Sequence, residues 1–277
     1  MIVSDPFQPG DGGAAREDSS RISAEARIMP GAFVGEGVTI GPGAVIGPNA
    51  CVLGSDVESD QQSVIGEFAT VGGNATVHPG VHIGARARVS PGAVVARSVP
   101  PFAIVEGNPA RIVGYVDATA DAIQRNGKEF GQAPGVRTGR VKGVTLHRFL
   151  SVSDLRGNLS AGEFGPEIPF TPLRYFLVFD VPTAETRGEH AHLECEQFLV
   201  AVAGSVSVVI DDGIQREEYT LDRPDLGLYL PPMTWGIQYR YTTDAILLVF
   251  ASHYYNAADY VRDYSRFLEL VSNRKAP

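Results

Sequence analysis

The chain has 277 residues, 44% of them hydrophobic, with 31 Gly, 19 Pro and a formal net charge of −9. That charge argues against nucleic acid as a partner, because a polyanion needs a basic surface, and an anionic substrate would have to be met by local Arg residues. Cys51 and Cys195 lie far apart in unlike segments, which excludes a disulfide framework. No apolar run approaches the roughly 18 residues that span a bilayer, and the start lacks a charged-then-apolar signal pattern. A cytoplasmic protein is expected, with one or two domains on length alone.

Residues 1–20 are polar and rich in Gly, Asp and Ser, and read as a leader. A strict period of six follows. Ile22, Ile28, Val34, Ile40, Ile46 and Val52 keep it, and after a break so do Ile65, Val71, Val77, Ile83, Val89 and Val95. A small residue or Val stands four positions later in most hexads, as at Ala44, Ala50, Ala69 and Ala75, and Gly often follows the aliphatic residue. This is the pattern of a triangular solenoid. Each hexad makes one face and one corner, the aliphatic residue points inward onto its copies, and Gly relieves the turn. Three hexads per coil give coils at 22–39, 40–57, 65–82 and 83–100. Asp56 to Ser63 breaks the phase by one residue and is expected to be a loop pushed out of one corner.

On these residues the segment 21–116 resembles the hexapeptide-repeat acyltransferases, which implies a left-handed parallel β-helix. The stretch from Pro91 to Val116 resembles that family's exit from the helix. The resemblance implies that Gly107, Asn108, Pro109 and Ala110 lie near an acyl-CoA site. Such enzymes need a His to deprotonate the acceptor. The candidates are His78, at the outward position after Val77, and His82, at a corner; either is equally readable as plain surface. The family's extra acceptor-site stretch is represented here only by the short break, so a purely trimerising scaffold stands beside acetyl transfer.

Residues 117–142 are polar and Gly-rich and read as a linker. From 143 to 277 the pattern changes to short strands with turn signals, Asp212-Gly213 among them, which suits an all-β sandwich or barrel. Ala257 to Val271 is expected to be a terminal helix covering it.

Within that barrel the informative run is Arg187-Gly188-Glu189-His190-Ala191-His192, followed by Glu196-Gln197. On a strand His190 and His192 share one face, and imidazole suits acid–base work near neutrality. Two other readings of the pair remain. With Glu196 it makes a cupin-like metal set, although Gly236 stands where a further His would be wanted. Alternatively, both rings are merely buried and hydrogen-bonded.

The whole stretch from Pro169 to Leu270 resembles the dTDP-4-keto-6-deoxyglucose 3,4-ketoisomerases, through PFTPLRYFLVFDVP, RGEHAH, EQFLVAVAGSVSVVIDDG, LDRPDLGLYLPPMTW and YNAADYVRDYSRFLEL. The resemblance implies a cupin-like jelly roll and isomerisation through an enediolate without metal or other cofactor. It makes His192 the base and His190 its assistant. Arg187 and Arg174 become anion clamps, and Gln197 and Tyr175 substrate-binding residues. For the two Arg residues the plain alternative is a salt bridge, and for Gln197 a core hydrogen bond. The expectation for the chain is an all-β, two-domain enzyme of deoxyamino-sugar synthesis. The barrel isomerises a dTDP-keto sugar, a separate pyridoxal-phosphate aminotransferase adds an amine, and the β-helix acetylates it from acetyl-CoA. The solenoid implies a trimer, and paired barrels then allow a hexamer. The rivals are a metal-dependent cupin dioxygenase or epimerase and a sugar-nucleotide binding protein.

Overall fold

The computed structural model describes residues 21–54, 62–118, 133–182 and 185–273. The expected leader and the centre of the expected corner loop lie outside the described residues, as does most of the linker. The chain divides into two compact units, Met1–Arg111 and Ile112–Pro277.

The first unit is a parallel β-helix of two-residue rungs. Its rungs form three ladders, in which Arg27 aligns with Val45, Phe33 with Cys51 and Val64 with His82, each one coil of eighteen residues later. The break lengthens one step, so that Thr39 aligns with Val64 and Val45 with Thr70, and the ladders continue in register beyond it. The inserted chain leaves the phase of the stack intact. The second residue of each rung points inward, and Ile46, Val52, Ile65, Val71 and Val77 are fully buried, as are Ala44, Ala50, Ala69 and Ala75. Ile22 and Ile28 are exposed because they belong to the terminal coil.

The glycines after the aliphatic residues serve a purpose other than turn relief. A Cβ on Gly66 would lie 2.6 Å from the backbone nitrogen of Ala85 in the next coil. The left-handed positions fall elsewhere in the hexad, at Gly43, Asn49, Phe68, Asn74 and Arg86. Gly is thus demanded by the close approach of coils rather than by φ. His82 also departs from expectation, since it lies on a rung beside Ile83 and not at a corner.

The second unit is a cupin-like jelly roll of two facing sheets. Its strands are β1 (Gly135–Thr138), β2 (Thr145–Arg148), β3 (Leu150–Asp154), β4 (Gly157–Ala161), β5 (Arg174–Phe179) and β6 (Arg187–His192). They continue with β7 (Gln197–Ala203), β8 (Val206–Asp211), β9 (Arg216–Leu221), β10 (Leu226–Leu230), β11 (Trp235–Tyr239), β12 (Ile246–Ala251) and β13 (Tyr260–Val261). One sheet runs β1-β2-β10-β7-β12-β5, the other β9-β8-β11-β6-β13, and β3 and β4 form a separate ribbon. Strand β1 falls inside the stretch read from sequence as a linker. Its residues are mostly exposed, so it leaves no alternating apolar pattern to read. Between the sheets Leu146, Leu199, Val208, Ile210, Leu228 and Val249 form the core.

The terminal helix α1 spans Tyr264–Asn273, shorter than the 257–271 expected. The preceding residues make a 3₁₀ turn at Ala257–Asp259 and then β13, because Tyr260 and Val261 pair with β6. Sheet pairing there overrides helical periodicity. Phe267 is fully buried and stacks with Trp235 at 5.5 Å. The Tyr264 hydroxyl donates to Asp211 at 2.7 Å, anchoring the helix start to β8.

Candidate active site

Strand β6 carries both histidines, and its backbone is bent to present them. The register against β11 slips between Gly188 and His190, and Gly188 and Glu189 both have positive φ. This is a β-bulge, a device that re-aims side chains. Gly188 is required twice over, since its φ is +82° and a Cβ there would lie 2.6 Å from the Gly236 carbonyl oxygen. The bulge also turns the Gly188 carbonyl onto His190 Nδ1, 2.8 Å away.

His190 and His192 line a small, partly open cavity with Gln197, Thr234, Gly236 and Gln238. The two Nε2 atoms are 3.2 Å apart. His192 Nδ1 meets Asp259 Oδ2 at 2.7 Å, and Gln197 Nε2 approaches His192 Nε2 at 3.1 Å. Tyr260 covers both rings, with centroids 4.9 Å from His190 and 4.3 Å from His192.

These contacts assign the protons. A carbonyl oxygen and a carboxylate only accept, so each Nδ1 carries hydrogen and each Nε2 presents a lone pair in the neutral ring. Gln197 donates to one of those lone pairs. Two lone pairs at 3.2 Å repel, so a proton taken up by either ring is shared with the other.

Burial is the main cause that lowers both pKa values. His190 is pushed down to about 4, with the charge of His192 and Arg262 adding to desolvation. His192 is lowered by burial, opposed by Asp259, and lowered further by Arg174 and Arg262. Both rings are neutral near pH 7, the state a general base requires.

The structure brings four of the sequence candidates together: His190, His192 and Gln197 in contact, and Arg174 close enough for its charge to act on His192. Arg174 Nε is buried with no hydrogen-bond partner, and its guanidinium lies over Tyr255 at 5.6 Å. Two candidates are left out. Arg187 begins β6 on an exposed position and acts electrostatically on Tyr241. Tyr175 is 67% exposed, on the opposite face of β5 from Arg174, as strand alternation requires of adjacent residues. Three partners escaped the sequence reading. Asp259 and Tyr260 were hidden in an expected helix, and Arg262, whose guanidinium sits 4.3 Å from the Tyr260 ring, follows them.

The metal set read from the sequence is not assembled. Glu196 Oε1 accepts from the Tyr229 hydroxyl at 2.5 Å, and Gly236 lies opposite His190 across the ladder. In the first unit His78 and His82 are both exposed. The Gly107–Ala110 turn is tied to the last rung, Val94 donating to the Gly107 carbonyl and Ala110 to that of Val94.

A jelly roll that pairs two histidines, His192 held by a carboxylate and His190 by a backbone carbonyl, defines a class of acid–base sites, and comparison with known proteins narrows it. Residues 142–272 match the family described as "FdtA: WxcM-like, C-terminal". Residues 19–54 and 62–97 match "Bacterial transferase hexapeptide (six repeats)". A protein of Aneurinibacillus thermoaerophilus named TDP-4-oxo-6-deoxy-alpha-D-glucose-3,4-oxoisomerase is 40% identical over 124 residues, covering 45% of this chain and 89% of that one. The solved sugar 3,4-ketoisomerase QdtA from Thermoanaerobacterium thermosaccharolyticum is 31% identical, over 49% of this chain and 99% of its own, with a TM-score of 0.48. A 3,4-ketoisomerase from Helicobacter canadensis is 37% identical, over 47% and 98%, with a TM-score of 0.46. The chain belongs to the FdtA family, with hexapeptide transferase repeats preceding the family domain.

Among the described residues no helix is long and apolar enough to cross a membrane.

Proposed function

We propose that the second unit interconverts a nucleotide-linked 4-keto-6-deoxy sugar and its 3-keto isomer, acting on the TDP-linked sugar named for its relative. The observation that carries this reading is the 3.2 Å separation of two Nε2 lone pairs whose Nδ1 atoms are both anchored. The C3 proton is acidified by the neighbouring C4 carbonyl. His192 Nε2 removes it, and the electron pair forms a C3–C4 enediolate with charge on O4. The proton crosses to His190 and is returned to C4, while the O3 hydroxyl proton passes to O4, so that O3 becomes the carbonyl oxygen and O4 the hydroxyl. Asp259 holds His192 in the tautomer that exposes Nε2 and favours its protonated form. Arg174 and Arg262 supply positive charge for the enediolate or the diphosphate, where a guanidinium fork suits phosphate oxygens. Gln197 orients His192 through its amide, in addition to the sugar-hydroxyl role that the family resemblance implies. No step in this sequence requires a redox cofactor or a metal, since the substrate carbonyl itself is the electron sink.

The test is incubation with dTDP-4-keto-6-deoxyglucose in deuterium oxide. Formation of the 3-keto isomer is expected, with less than full solvent label at C4 because the proton is passed within the histidine pair. Absence of isomer and of exchange at C3 and C4 would overturn the reading.

For the first unit we propose acetyl transfer from acetyl-CoA to the amine of a dTDP-3-amino-3,6-dideoxy sugar, in a homo-oligomer organised by the solenoid. The transferase repeats support it, with His78 or His82 as acceptor base and Gly107 to Ala110 beside the acyl carrier. The division follows the sequence domains 21–116 and 143–277. An aminotransferase using pyridoxal phosphate would connect the two steps. Release of CoA thiol only when the amino sugar is present is the expected result; none with either His intact leaves the solenoid as scaffold.

A further inference from the structure

Behind the histidine pair lies a residue that the proton path does not use. Cys195, in the turn between β6 and β7, is buried and unbonded to another cysteine. Its Sγ donates only a long contact to the Glu196 carbonyl at 3.4 Å, and Ser252 Oγ lies 3.9 Å away. One ring nitrogen of His192, Cys195 Sγ and a carboxylate oxygen of Asp259 lie within 4.8 Å of one another. The nitrogen on the Asp259 side is Nδ1, already 2.7 Å from Oδ2.

We propose that His192, Cys195 and Asp259 form a binding site for a thiophilic divalent cation, zinc or cadmium, and that filling it switches the histidine pair off. Zinc bonds of about 2.3 Å to sulfur and about 2.0–2.2 Å to nitrogen and oxygen place tetrahedral donors roughly 3.3–3.7 Å apart. The three donors need to move by no more than about an ångström to reach that arrangement. A thiolate and an imidazole select zinc or cadmium over magnesium and calcium. The thiol proton leaves to solvent on binding. Thiolate and carboxylate together then match the charge of the ion. The fourth position opens toward the cavity, whose wall Cys195 shares, and water fills it. The consequence for His192 is direct. Coordination takes the Nδ1 lone pair and replaces the hydrogen bond to Asp259; the ring proton moves to Nε2, which then has no lone pair to present to a substrate.

The inhibitory half of this inference rests on the isomerase reading; the binding half does not. The full-length protein carrying Cys51→Ala is titrated with cadmium and followed by the ultraviolet charge-transfer band of a cadmium thiolate. One saturable equivalent per chain is expected. Adding Cys195→Ala should abolish the band, and Asp259→Asn, which keeps the thiol and nearly the same shape, should weaken binding at least roughly 10-fold, the lower range for lost metal-site partners. A band that survives Cys195→Ala, or none with Cys195 present, overturns the site. Zinc at saturating level should stop solvent-deuterium exchange into the sugar, a chelator should restore it, and the turnover of the Cys195→Ala protein should be indifferent to zinc. Unchanged turnover at a saturated band overturns the switch. If the isomerase reading itself fails, the cadmium band persists without any exchange to inhibit.

Discussion

The two units reach their structures by opposite routes. In the β-helix each inward residue stacks on the copy eighteen positions later, as Ile28 does on Ile46 and Ile65 on Ile83, so a local rule generates the whole unit. In the jelly roll the decisive contact joins His192 to Asp259 across 67 residues of chain, and no period links them. A repetitive fold spreads stability over many equivalent positions, whereas the acid–base site concentrates its chemistry in a few residues held by long-range pairing. Periodicity therefore makes the first unit easy to read and leaves its activity unmarked. The second unit has weak periodicity and a sharply defined site.

The comparison breaks or sharpens at four points. The largest effect is expected for His192→Asn, which removes the base and should cut isomerisation by roughly 10²–10⁴-fold with little change in the thermal transition. Near-normal turnover would remove the site from the centre of the contrast.

Asp259→Asn keeps the shape but loses the carboxylate. A fall in kcat on the order of 10–100-fold is expected from disturbing the group that fixes a histidine's tautomer. Because Asp259 raises the pKa of His192, its removal should also shift the acid limb of the kcat/KM profile to lower pH. A purely structural role would leave that limb in place.

Third is stability against pH. His190 is lowered from 6.5 to about 4 in the folded chain, so the unfolded state binds more protons in that interval and stability falls as pH falls through it. Between pH 7 and 5 the loss is expected to be about 2 kcal/mol at 1.36 kcal/mol per unit. It is read from the urea midpoint of the fluorescence of Trp235, the chain's single tryptophan, which packs on α1. His190→Asn should flatten the dependence.

The smallest effects separate the arginines. Arg174→Lys loses the planar fork and should raise KM by roughly 10-fold. Arg187→Ala, on the exposed start of β6, should change isomerisation less than about 2-fold, as should His82→Ala in the other unit. A large loss for Arg187→Ala would restore the clamp expected from the sequence.

The sequence by itself determined the β-helix almost completely, because its neighbours recur at a fixed spacing and one inward Ile or Val per hexad states where each rung lies. It also determined the histidine pair, since alternation on one strand is a local fact. It left unreadable why Gly follows the aliphatic residues, because the backbone that approaches Gly66 belongs to the next coil. It placed Arg187 and Tyr175 in the site and missed Asp259, Tyr260 and Arg262. The family resemblance favoured the first two; pairing of β13 with β6 chose the others. Only the tertiary structure decided which nitrogen faces which, because a bulge at Gly188 and a carboxylate from a distant turn orient the two rings. Those are contacts between segments with no spacing rule in common.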